Sequence, residues 1–354
     1  MNIYDIAKKA NVSVATVSRV INKSGQVRES TRKKVEKAIA EMHYTPSSVA
    51  RSLSTQQTDN IGIIVPDIFN PFYARVLAGI TRVTGRYGYN TFLFNADENV
   101  DHLHQILRAI QGERLKGIIL NPIFSQDEET LHLMRDLESM GIAIVLLDRD
   151  IYGMNCNGVY SDDFGGAYGA VDHLIKIGHE RIALFHGPLD SRPGHERYEG
   201  YMRALRDNGI TPDEELIREY DFMLSGSVYE NTKKIMKRKN RPTAFFTSNN
   251  YGTLECMKSL LDMDLEIGKD VGMIGFDDID ILHYANRGIS AVDREVEEMG
   301  AEAMRLLQAC ITEHADEDRK QKIVLDTNLV LRGSENCESV KRLSKMPKSE
   351  DDSL

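Results

Sequence analysis

The hydrophobic and polar positions of the chain follow different patterns in a short head and in a long body. Within residues 1–45, apolar side chains recur every three or four positions, which is typical of helices that bury one face. From Asn60 onwards, short apolar runs alternate with helical patterns. Strands that alternate with helices predict parallel sheets covered by helices on both faces, and two such sets in succession predict two similar lobes.

The apolar runs of the body have the length of strands and are bounded by polar or turn residues. The predicted strands are Ile61–Val65, Tyr89–Asn95, Gly117–Asn121, Ile142–Asp148, Arg181–Gly187, Thr243–Thr247 and Val271–Phe276. The predicted helices cover about 72–87, 100–112, 127–140, 164–177, 195–208, 226–238, 250–263 and 295–310.

The head has the pattern of a helix-turn-helix. A first helix, Ile3–Ala10, is followed by the turn Asn11-Val12, and Ser13 is the predicted N-cap of a second helix. The apolar face of the second helix packs on the first. Its opposite face carries side chains that are short or form hydrogen bonds, so the backbone can approach base edges in a major groove. These outward residues are Val14, Ala15, Ser18, Arg19 and Asn22.

The stretches that carry a family likeness lie in this head. They are Tyr4-Asp5-Ile6-Ala7, Val12-Ser13, Thr16-Val17-Ser18-Arg19-Val20 and Asn22. Together they resemble the opening signature of the LacI/GalR family of transcription repressors, and the likeness continues to about residue 333. The resemblance implies a helix-turn-helix DNA-binding domain in residues 1–45, a hinge helix and linker in 46–58, and a two-lobed α/β core in 59–333. That core would have the periplasmic-binding-protein-like, type I fold.

A third helix, capped by Ser30 or Thr31, is expected to run to about Met42, and its Arg and Lys side chains would either contact phosphates or be solvated. The next helical pattern, Ser47–Ser54, is too short to be stable alone. The resemblance implies a hinge helix that pairs with its twin across a dimer in the minor groove, where Leu53 would wedge into the central base step. An ordinary linker with one buried leucine is the alternative. The residues expected at DNA are Ser13, Val14, Ala15, Thr16, Ser18, Arg19, Asn22, Ala50, Arg51 and Leu53.

In the core, the resemblance implies three crossings between lobes, which we place near residues 160, 291 and 320. Lobe one would then span about 59–160 and 292–319, and lobe two about 161–291 and 320–333. Residues 334–354 are rich in Lys, Ser and Glu and poor in apolar residues, so we predict a disordered tail.

A ligand site is predicted where the strands of both lobes end, because open parallel sheets bind ligands at their carboxyl ends. Amides and carboxylates that pair with hydroxyls, together with aromatic rings, are suited to a sugar. For each acid, the alternative is that it caps a nearby helix. Strand ends and the family resemblance together give Phe72, Asn121, Asp148, Arg197, Phe222, Asn249 and Asp277 as the expected effector-binding residues.

The arginines near these strand ends bear on the chemistry of the effector. Unpaired arginines would favour a carboxylate or phosphate on the ligand, and hence an acidic sugar or sugar phosphate. The alternative is that Arg149 and Arg192 pair with Asp150 and Asp190. The arginines that could reach the cleft are Arg149, Arg192, Arg197 and Arg294. Many relatives carry Asn-Asp where this chain has Asn249-Asn250, which puts the usual charge of the pocket in doubt.

Charge is distributed unevenly along the chain. Residues 1–60 hold ten Lys and Arg against five Asp and Glu, whereas the remainder holds 34 against 49, for a net charge of −10 overall. A basic head on an acidic body confines attraction to DNA to one end. The spacing of Cys156, Cys256, Cys310 and Cys337 fits neither a metal site nor a disulfide framework. We find no signal-peptide pattern and no membrane-length apolar run, and we predict a cytoplasmic protein.

Three other functions would each account for part of the sequence. For an enzyme, the glycine-rich Asp163–Gly169 lacks a cofactor fingerprint and Asp277-Asp278-Ile279-Asp280 lacks a second metal-binding cluster, so no catalytic constellation, metal or cofactor is predicted. A secreted solute-binding protein would share the two-lobed fold. The basic head and the lack of a signal-peptide pattern argue against it. Arg305 resembles part of the surface on which catabolite control proteins dock a phosphocarrier protein. However, Glu302 stands where those proteins have an apolar residue, and dimer or core packing explains the helix equally well.

These observations predict a dimeric, sequence-specific repressor of carbohydrate-metabolism genes. Its two recognition helices would enter major grooves about 34 Å apart on a pseudo-palindromic operator. An effector between the lobes would shift the population of lobe arrangements and thereby change operator affinity. Whether the effector is an inducer or a corepressor stays open at this point.

Overall fold

The computed structural model describes residues 2–21, 25–43, 58–220, 226–312 and 320–343. Internal contacts divide the chain into two compact units, Met1–Asp59 and Asn60–Leu354. Each unit has its own hydrophobic core. No helix in the described part of the chain is both long and apolar enough to cross a bilayer.

The head consists of three helices, α1 (Ile3–Ala10), α2 (Val14–Ile21) and α3 (Glu29–Glu41). Asn2 and Asp5 form a capping box at the start of α1, and the Ser13 hydroxyl accepts the Thr16 N–H at 3.1 Å at the start of α2. The predicted cap of the third helix was wrong. Arg28 holds the N-cap position without a side-chain hydrogen bond, and Ser30 and Thr31 lie inside the first turn. The three helices are joined by one cluster in which Ile6, Val17 and Val35 are fully buried.

The second unit is built from two six-stranded sheets. The strands of the first sheet are β1 (Asn60–Val65), β2 (Asn90–Asn95), β3 (Gly117–Leu120), β4 (Ala143–Leu147), β5 (Asn157–Ser161) and β11 (Lys322–Leu325). Those of the second are β6 (Ile182–His186), β7 (Ile217–Glu219), β8 (Ala244–Thr247), β9 (Gly272–Phe276), β10 (Ser290–Arg294) and β12 (Thr327–Val330). The orders are β11-β5-β4-β3-β1-β2 and β12-β10-β9-β8-β6-β7, and all pairings are parallel except β10 with β12.

Helices cover both faces of each sheet. They are α4 (Pro71–Tyr87), α5 (Val100–Ile110), α6 (Glu128–Ser139), α7 (Asp163–Lys176), α8 (Arg192–Asp207), α9 (Ser227–Met236), α10 (Asn250–Leu261), α11 (Asp280–Tyr284), α12 (Val296–Thr312) and α13 (Glu338–Leu343). Alternate residues of β1 enter different clusters, with Ile61 and Ile63 on one side and Ile64 on the other. A strand buried on both faces reads as a continuous apolar run, which is why these strands could be predicted.

The crossings between lobes differ from two of the predicted positions. The second sheet keeps β10 through Arg294, so this crossing lies after 294 rather than near 291. The third lies at Asp326 rather than near 320, because β11 pairs in parallel with β5 of the first sheet and β12 pairs with β10 of the second. The two halves of one apolar run in the sequence therefore join different sheets, and only the polar residue between them marks where the first strand ends.

The predicted disorder from Ser334 onwards is also wrong for the part of that segment that the structure describes. Ser334, Glu335 and Cys337 are buried, and α13 follows them. The Glu335 carboxylate accepts the Ser290 hydroxyl, and the Glu335 carbonyl lies 2.9 Å from Nε2 of His179. Polar residues that find partners in the second lobe hold this segment, and composition alone cannot reveal such pairing.

Two glycines bring the backbones of α4 and α12 into close contact. A Cβ atom on Gly79 would lie 1.8 Å from the Glu297 carbonyl oxygen, and one on Gly300 would lie 2.2 Å from the Val76 carbonyl oxygen. Neither carbonyl can move without displacing its helix. The return of α12 to the first lobe therefore depends on these two positions.

We expect Gly79→Ala to lower the free energy of unfolding by about 1–3 kcal/mol or more, because overpacking forces the two helices apart. Gly85→Ala in the same helix is the matched control, since a Cβ there meets nothing within 4 Å. The control should be neutral or stabilising by up to about 1 kcal/mol, as alanine is the better helix former. Urea unfolding followed by circular dichroism measures both, and equal effects would contradict the close approach.

Candidate functional site

A cavity of about 300 Å³ lies between the two lobes, at the carboxyl ends of both sheets. Its size is at the lower end of the range of about 300–1,000 Å³ that is usual for small-molecule sites. Its lining residues follow β1, β2 and β4 in the first lobe and β6 to β9 in the second. The predicted residues that line it are Phe72, Asp148, Arg197, Asn249 and Asp277.

One of the predicted effector residues that the structure describes, Asn121, does not line the cavity. Asn121 is fully buried, and its Nδ2 donates to the hydroxyl of Tyr73 at 3.0 Å, so it supports a cavity residue without lining the cavity itself. Phe222 lies outside the described residues. Other lining residues were not predicted from the sequence, namely Glu98, Tyr220, Tyr251 and Glu255. The signal for Glu98 was its place after the predicted second strand, whereas Glu255 lies a turn and a half into a helix and had none.

The centre of the site is an ion triad that joins the lobes. Nε and Nη2 of Arg294 lie 2.7 Å from Oδ1 of Asp277, and Nη1 lies 2.6 Å from Oδ1 of Asp148. Nη1 also donates to the Ser161 hydroxyl at 3.2 Å, and the guanidinium lies over the ring of Phe72. All three charged side chains of the triad are at least nine-tenths buried. One arginine thus fixes a carboxylate from each sheet.

The two carboxylates occupy the same position in the two sheets. Asp148 directly follows β4 and Asp277 directly follows β9, and both have left-handed backbones, with φ of 63° and 71°. This conformation is uncommon outside glycine and clusters at functional sites. It turns the chain sharply at the strand end. Equivalent turns in the two lobes therefore aim equivalent acids at Arg294.

Electrostatics at the triad follow from burial and pairing. Burial disfavours the charged form of Asp148, but the charges of Arg294, Arg197 and Arg149 outweigh it and hold the pKa of Asp148 below its ordinary value. Burial would also lower the pKa of Arg294, yet Asp277 and Asp148 raise it. Asp148 and Arg294 are therefore both ionised at neutral pH.

Arg197 forms a second buried ion pair beside the triad. Its Nε lies 2.8 Å from Oδ1 of Asp163, its Nη1 donates to the Ser248 carbonyl at 2.6 Å, and its guanidinium lies 3.7 Å from the centroid of the Phe276 ring. Burial raises the pKa of Asp163, and the charge of Arg197 offsets only part of that effect. Arg197 lines the cavity, but its charge is largely balanced by Asp163.

The remaining arginines that were expected to reach the cleft are paired as well. Arg149 forms a bidentate pair with Glu98 at 2.9 and 3.1 Å, and Arg192 pairs with Glu196 at 2.8 Å. These partners are not the Asp150 and Asp190 considered from the sequence. The premise of unpaired arginines, on which an acidic effector was predicted, is therefore wrong. Each guanidinium is matched by a carboxylate before any ligand enters.

The lining as a whole carries more acid than base. Its bases are Arg149, Arg197 and Arg294, and its acids are Asp67, Asp97, Glu98, Asp148, Glu255 and Asp277. Glu255 accepts backbone N–H groups at the start of α9, and Asp67 accepts the Tyr251 hydroxyl. No cluster of three potential metal ligands occurs in the described ranges. The cavity is thus suited to donors of hydrogen bonds and opposes anions.

In the head, α2 presents two exposed residues of the predicted DNA face, Ala15 and Arg19, and Ser18 is half-buried. The hydroxyls of Ser13 and Thr16 lie 2.8 Å apart at the start of the helix. Val14 is partly buried against the core of the head, so it does not lie free on the outward face as expected. The other predicted DNA-contacting residues, Asn22, Ala50, Arg51 and Leu53, lie outside the described residues.

A helix-turn-helix head followed by a two-lobed core with a polar cavity defines a class of protein, the ligand-controlled DNA-binding regulators. Residues 2–47 match the family model of bacterial regulatory proteins of the lacI family, and residues 171–335 match a periplasmic binding protein-like domain. The chain belongs to the LacI family. It is a DNA-binding transcription regulator with the core fold expected from its sequence.

Several relatives support this membership. Catabolite control protein A of Priestia megaterium is 33% identical over 308 residues, covering 87% of this chain and 91% of the relative. The ribose operon repressor of Halalkalibacterium halodurans is 32% identical, covering 95% and 99%. A Lac repressor dimer bound to operator and the anti-inducer ONPF superimposes with a TM-score of 0.82 at 25% identity, covering 95% and 99%. A complex of the regulator CelR with cellobiose gives 0.70 at 28% identity, covering 94% and 99%.

We expect Arg294→Met to lower the free energy of unfolding by about 3–5 kcal/mol at pH 7.5, because it removes the cation that contacts two buried carboxylates. In the native protein, the lowered pKa of Asp148 contributes stability above its unfolded pKa, and this is lost as pH falls through the folded value. In the variant the sign reverses for Asp148, since burial without the charge of Arg294 raises the pKa of this carboxyl. The loss should therefore be smaller at pH 5 than at pH 7.5.

Urea unfolding at the two pH values measures this difference. Arg203→Met is the control, because Arg203 is exposed and pairs with Asp207 at the surface. It should change stability little at either pH. A loss in Arg294→Met that does not depend on pH would contradict the proposed charge balance.

Proposed function

We propose that this protein is a dimeric repressor whose affinity for a pseudo-palindromic operator is set by a neutral sugar bound between its lobes. The observation that carries the choice of ligand is the pairing of every arginine at the cavity with a carboxylate. An anionic ligand would have to displace one of these carboxylates or be buried beside them. An uncharged ligand rich in hydroxyls avoids both costs.

The hydrogen-bonding groups of the cavity support a sugar. Arg294 contacts one oxygen of Asp148 and one of Asp277, which leaves the second oxygen of each without a protein partner in the described ranges. Oδ1 of Asn249 caps α10, so its amide Nδ2 is the group left to donate to a ligand. Acceptors from both lobes and a donor from one are suited to the hydroxyls of a single small molecule.

The names of two relatives support the same class of ligand. One is a ribose operon repressor, and one solved structure is a regulator in complex with cellobiose. We infer that this chain regulates carbohydrate-metabolism genes and responds to a sugar of its own. Other relatives are named as the transcriptional repressor PurR, and purines are included in the screen as the competing class.

For DNA, we propose that Arg19 and Ala15 on α2 contact base edges. The other residues proposed to contact the DNA are those predicted from the sequence, namely Ser13, Thr16, Ser18, Asn22, Ala50, Arg51 and Leu53. For assembly, we propose a homodimer. Ile281 and Tyr284 lie one turn apart on α11 and are 66% and 85% exposed, which provides an apolar surface in the second lobe for a second copy. A symmetric dimer is the form that a pseudo-palindromic operator requires.

We do not propose the other functions considered from the sequence. The relatives are transcription regulators, and we infer that this chain binds its ligand without converting it, in the cytoplasm where its operators are. A helix-turn-helix head has no use in a solute-binding protein. Arg305 contacts Glu298 at 2.7 Å and Glu302 at 2.5 Å, and two carboxylates beside it oppose a phosphorylated protein partner. A small molecule is therefore preferred to a phosphocarrier protein.

A thermal-shift screen tests the effector class. Neutral sugars should be compared with their own phosphates and uronic acids, and purines should be included. A neutral sugar at about 100 times its dissociation constant should stabilise the protein by about 2.7 kcal/mol. Its phosphate should have no effect at the same concentration. Binding of only the acidic forms, or only of purines, would contradict the proposal.

The DNA-binding half is tested separately with a fragment selected from a random duplex pool. We expect Arg19→Ala to weaken binding to that fragment at least tenfold, since Arg19 is exposed on α2. The same variant should keep the thermal shift with the sugar. Lys37→Ala on α3 is a control for loss of charge alone, because it is exposed and lies off the recognition helix. Equal losses in the two variants would remove the specific role of Arg19.

A further inference from the structure

The two lobes contact each other directly at the rim of the cavity, by two hydrogen bonds that need no ligand. Nδ2 of Asn250 donates to Oδ1 of Asn70 at 2.7 Å, and the Tyr251 hydroxyl donates to Oδ2 of Asp67 at 2.8 Å. Asn250 and Tyr251 begin α10 in the second lobe, whereas Asp67 and Asn70 lie between β1 and α4 in the first. These four residues are called the rim latch.

The rim latch lies far from the crossings. The chain crosses between lobes beside β5 and β11 in the first sheet and beside β10 and β12 in the second. In the first sheet β1 is three strands from β5, which is roughly 14 Å at the usual strand spacing of about 4.8 Å. A rotation of one lobe about the crossings therefore separates the rim more than it separates the centre. A weak contact at this distance from the crossings therefore influences closure more than one close to them.

The direction of the Asn70–Asn250 hydrogen bond is fixed by the backbone on both sides. Oδ1 of Asn70 already accepts the Phe72 N–H at 3.0 Å as the N-cap of α4. Oδ1 of Asn250 accepts its neighbour's N–H, that of Tyr251, at 2.8 Å. Each amide is held with its oxygen towards its own helix. Of the two amides, only the Nδ2 of Asn250 is then in place to donate across the cleft.

This geometry makes the two asparagines chemically unequal. An aspartate at position 70 would still cap α4 and still accept from Asn250. An aspartate at position 250 would still accept the N–H at the start of α10, but it would face Oδ1 of Asn70 with an oxygen. The same change from amide to acid therefore keeps the bond on one side and abolishes it on the other. Both positions lie at helix N-termini, where an added negative charge does not harm the helix.

We propose that the rim latch holds the core closed without effector, so that hydrogen bonds between the lobes set the balance between closed and open forms before any sugar binds. The inference deepens the proposed function, because it concerns regulation of the same cavity. Closure before binding has two consequences. The effector must wait for the latch to open, and its apparent affinity depends on the latch through the population of the competent form.

Hydrogen exchange of the full-length, effector-free protein tests this proposal, followed by mass spectrometry of segments at both rims and of the strands β8 and β9. Asn250→Asp should exchange about 2–10-fold faster at the rim segment after β1, which is the worth of one net hydrogen bond. Tyr251→Phe should have an effect of similar size. Asn70→Asp should leave exchange at the start of α10 unchanged or slower. The strands should stay protected in all three variants.

Other outcomes overturn the proposal. Equal acceleration in Asn70→Asp and Asn250→Asp would mean that charge at the rim, and not the direction of one hydrogen bond, controls exchange. Acceleration everywhere, strands included, would mean that these residues only support the fold. No acceleration in Asn250→Asp would mean that the latch does not hold the lobes. Neither sugar nor DNA is present, so these results do not depend on whether the effector is a neutral sugar.

Discussion

Arg294 is the residue on which the geometry of the core most depends, because it satisfies one carboxylate from each lobe at once. A buried charge is costly unless it is paired, and here three charges are removed from water together. The arrangement is possible because β10 ends beside β9, whose strand-end acid is Asp277, and close to the crossing that brings Asp148 within reach. Separating the lobes at this point would expose an acid to a cavity without its cation. The centre of the cleft is therefore the part that resists opening.

The rim differs from the centre in the kind of contact it uses. Asn70 with Asn250 is a neutral pair, and a neutral hydrogen bond contributes a net free energy of only about 0.5–1.5 kcal/mol, since water replaces it on opening. Breaking a buried ion pair by removing one partner costs about 3–5 kcal/mol. A core with an ionic centre and two hydrogen bonds at the rim should therefore open by rotation about the crossings and not by separation of whole lobes.

Much of this arrangement could be predicted from the sequence, and the failures have physical causes. Asp148 and Asp277 were identified because parallel strands place their final residues at one edge. Asn121 was assigned by the same rule, but its side chain faces Tyr73 inside the lobe, and a strand end alone does not say which way a side chain turns. The pairing of Arg149 with Glu98 joins residues 51 positions apart, and no local pattern encodes it. The head was predicted well because its contacts are local.

The strand break at Asp326 belongs to the same class of failure. Residues 322–330 read as one apolar run, yet the first half joins one sheet and the second half joins the other. A sequence pattern reports that a segment is buried and extended, but not which sheet it completes. That choice is made by register against β5 and β10, which are far away in the chain. Tertiary pairing therefore decides the crossings, and the crossings decide where the hinge of the cleft lies.

The ion triad of Arg294, Asp148 and Asp277 affects both which ligand can bind and how the lobes close. A neutral sugar can bind to the free oxygens of Asp148 and Asp277 without disturbing Arg294, so binding and the ionic centre are compatible. An anion would compete with those acids for Arg294 and so weaken the contact that fixes the two lobes. A ligand shifts lobe arrangement only by its differential affinity for the closed and open forms. An effector that leaves the centre intact can therefore act on the rim alone, where the free energy difference between the two arrangements is small enough for one ligand to reverse.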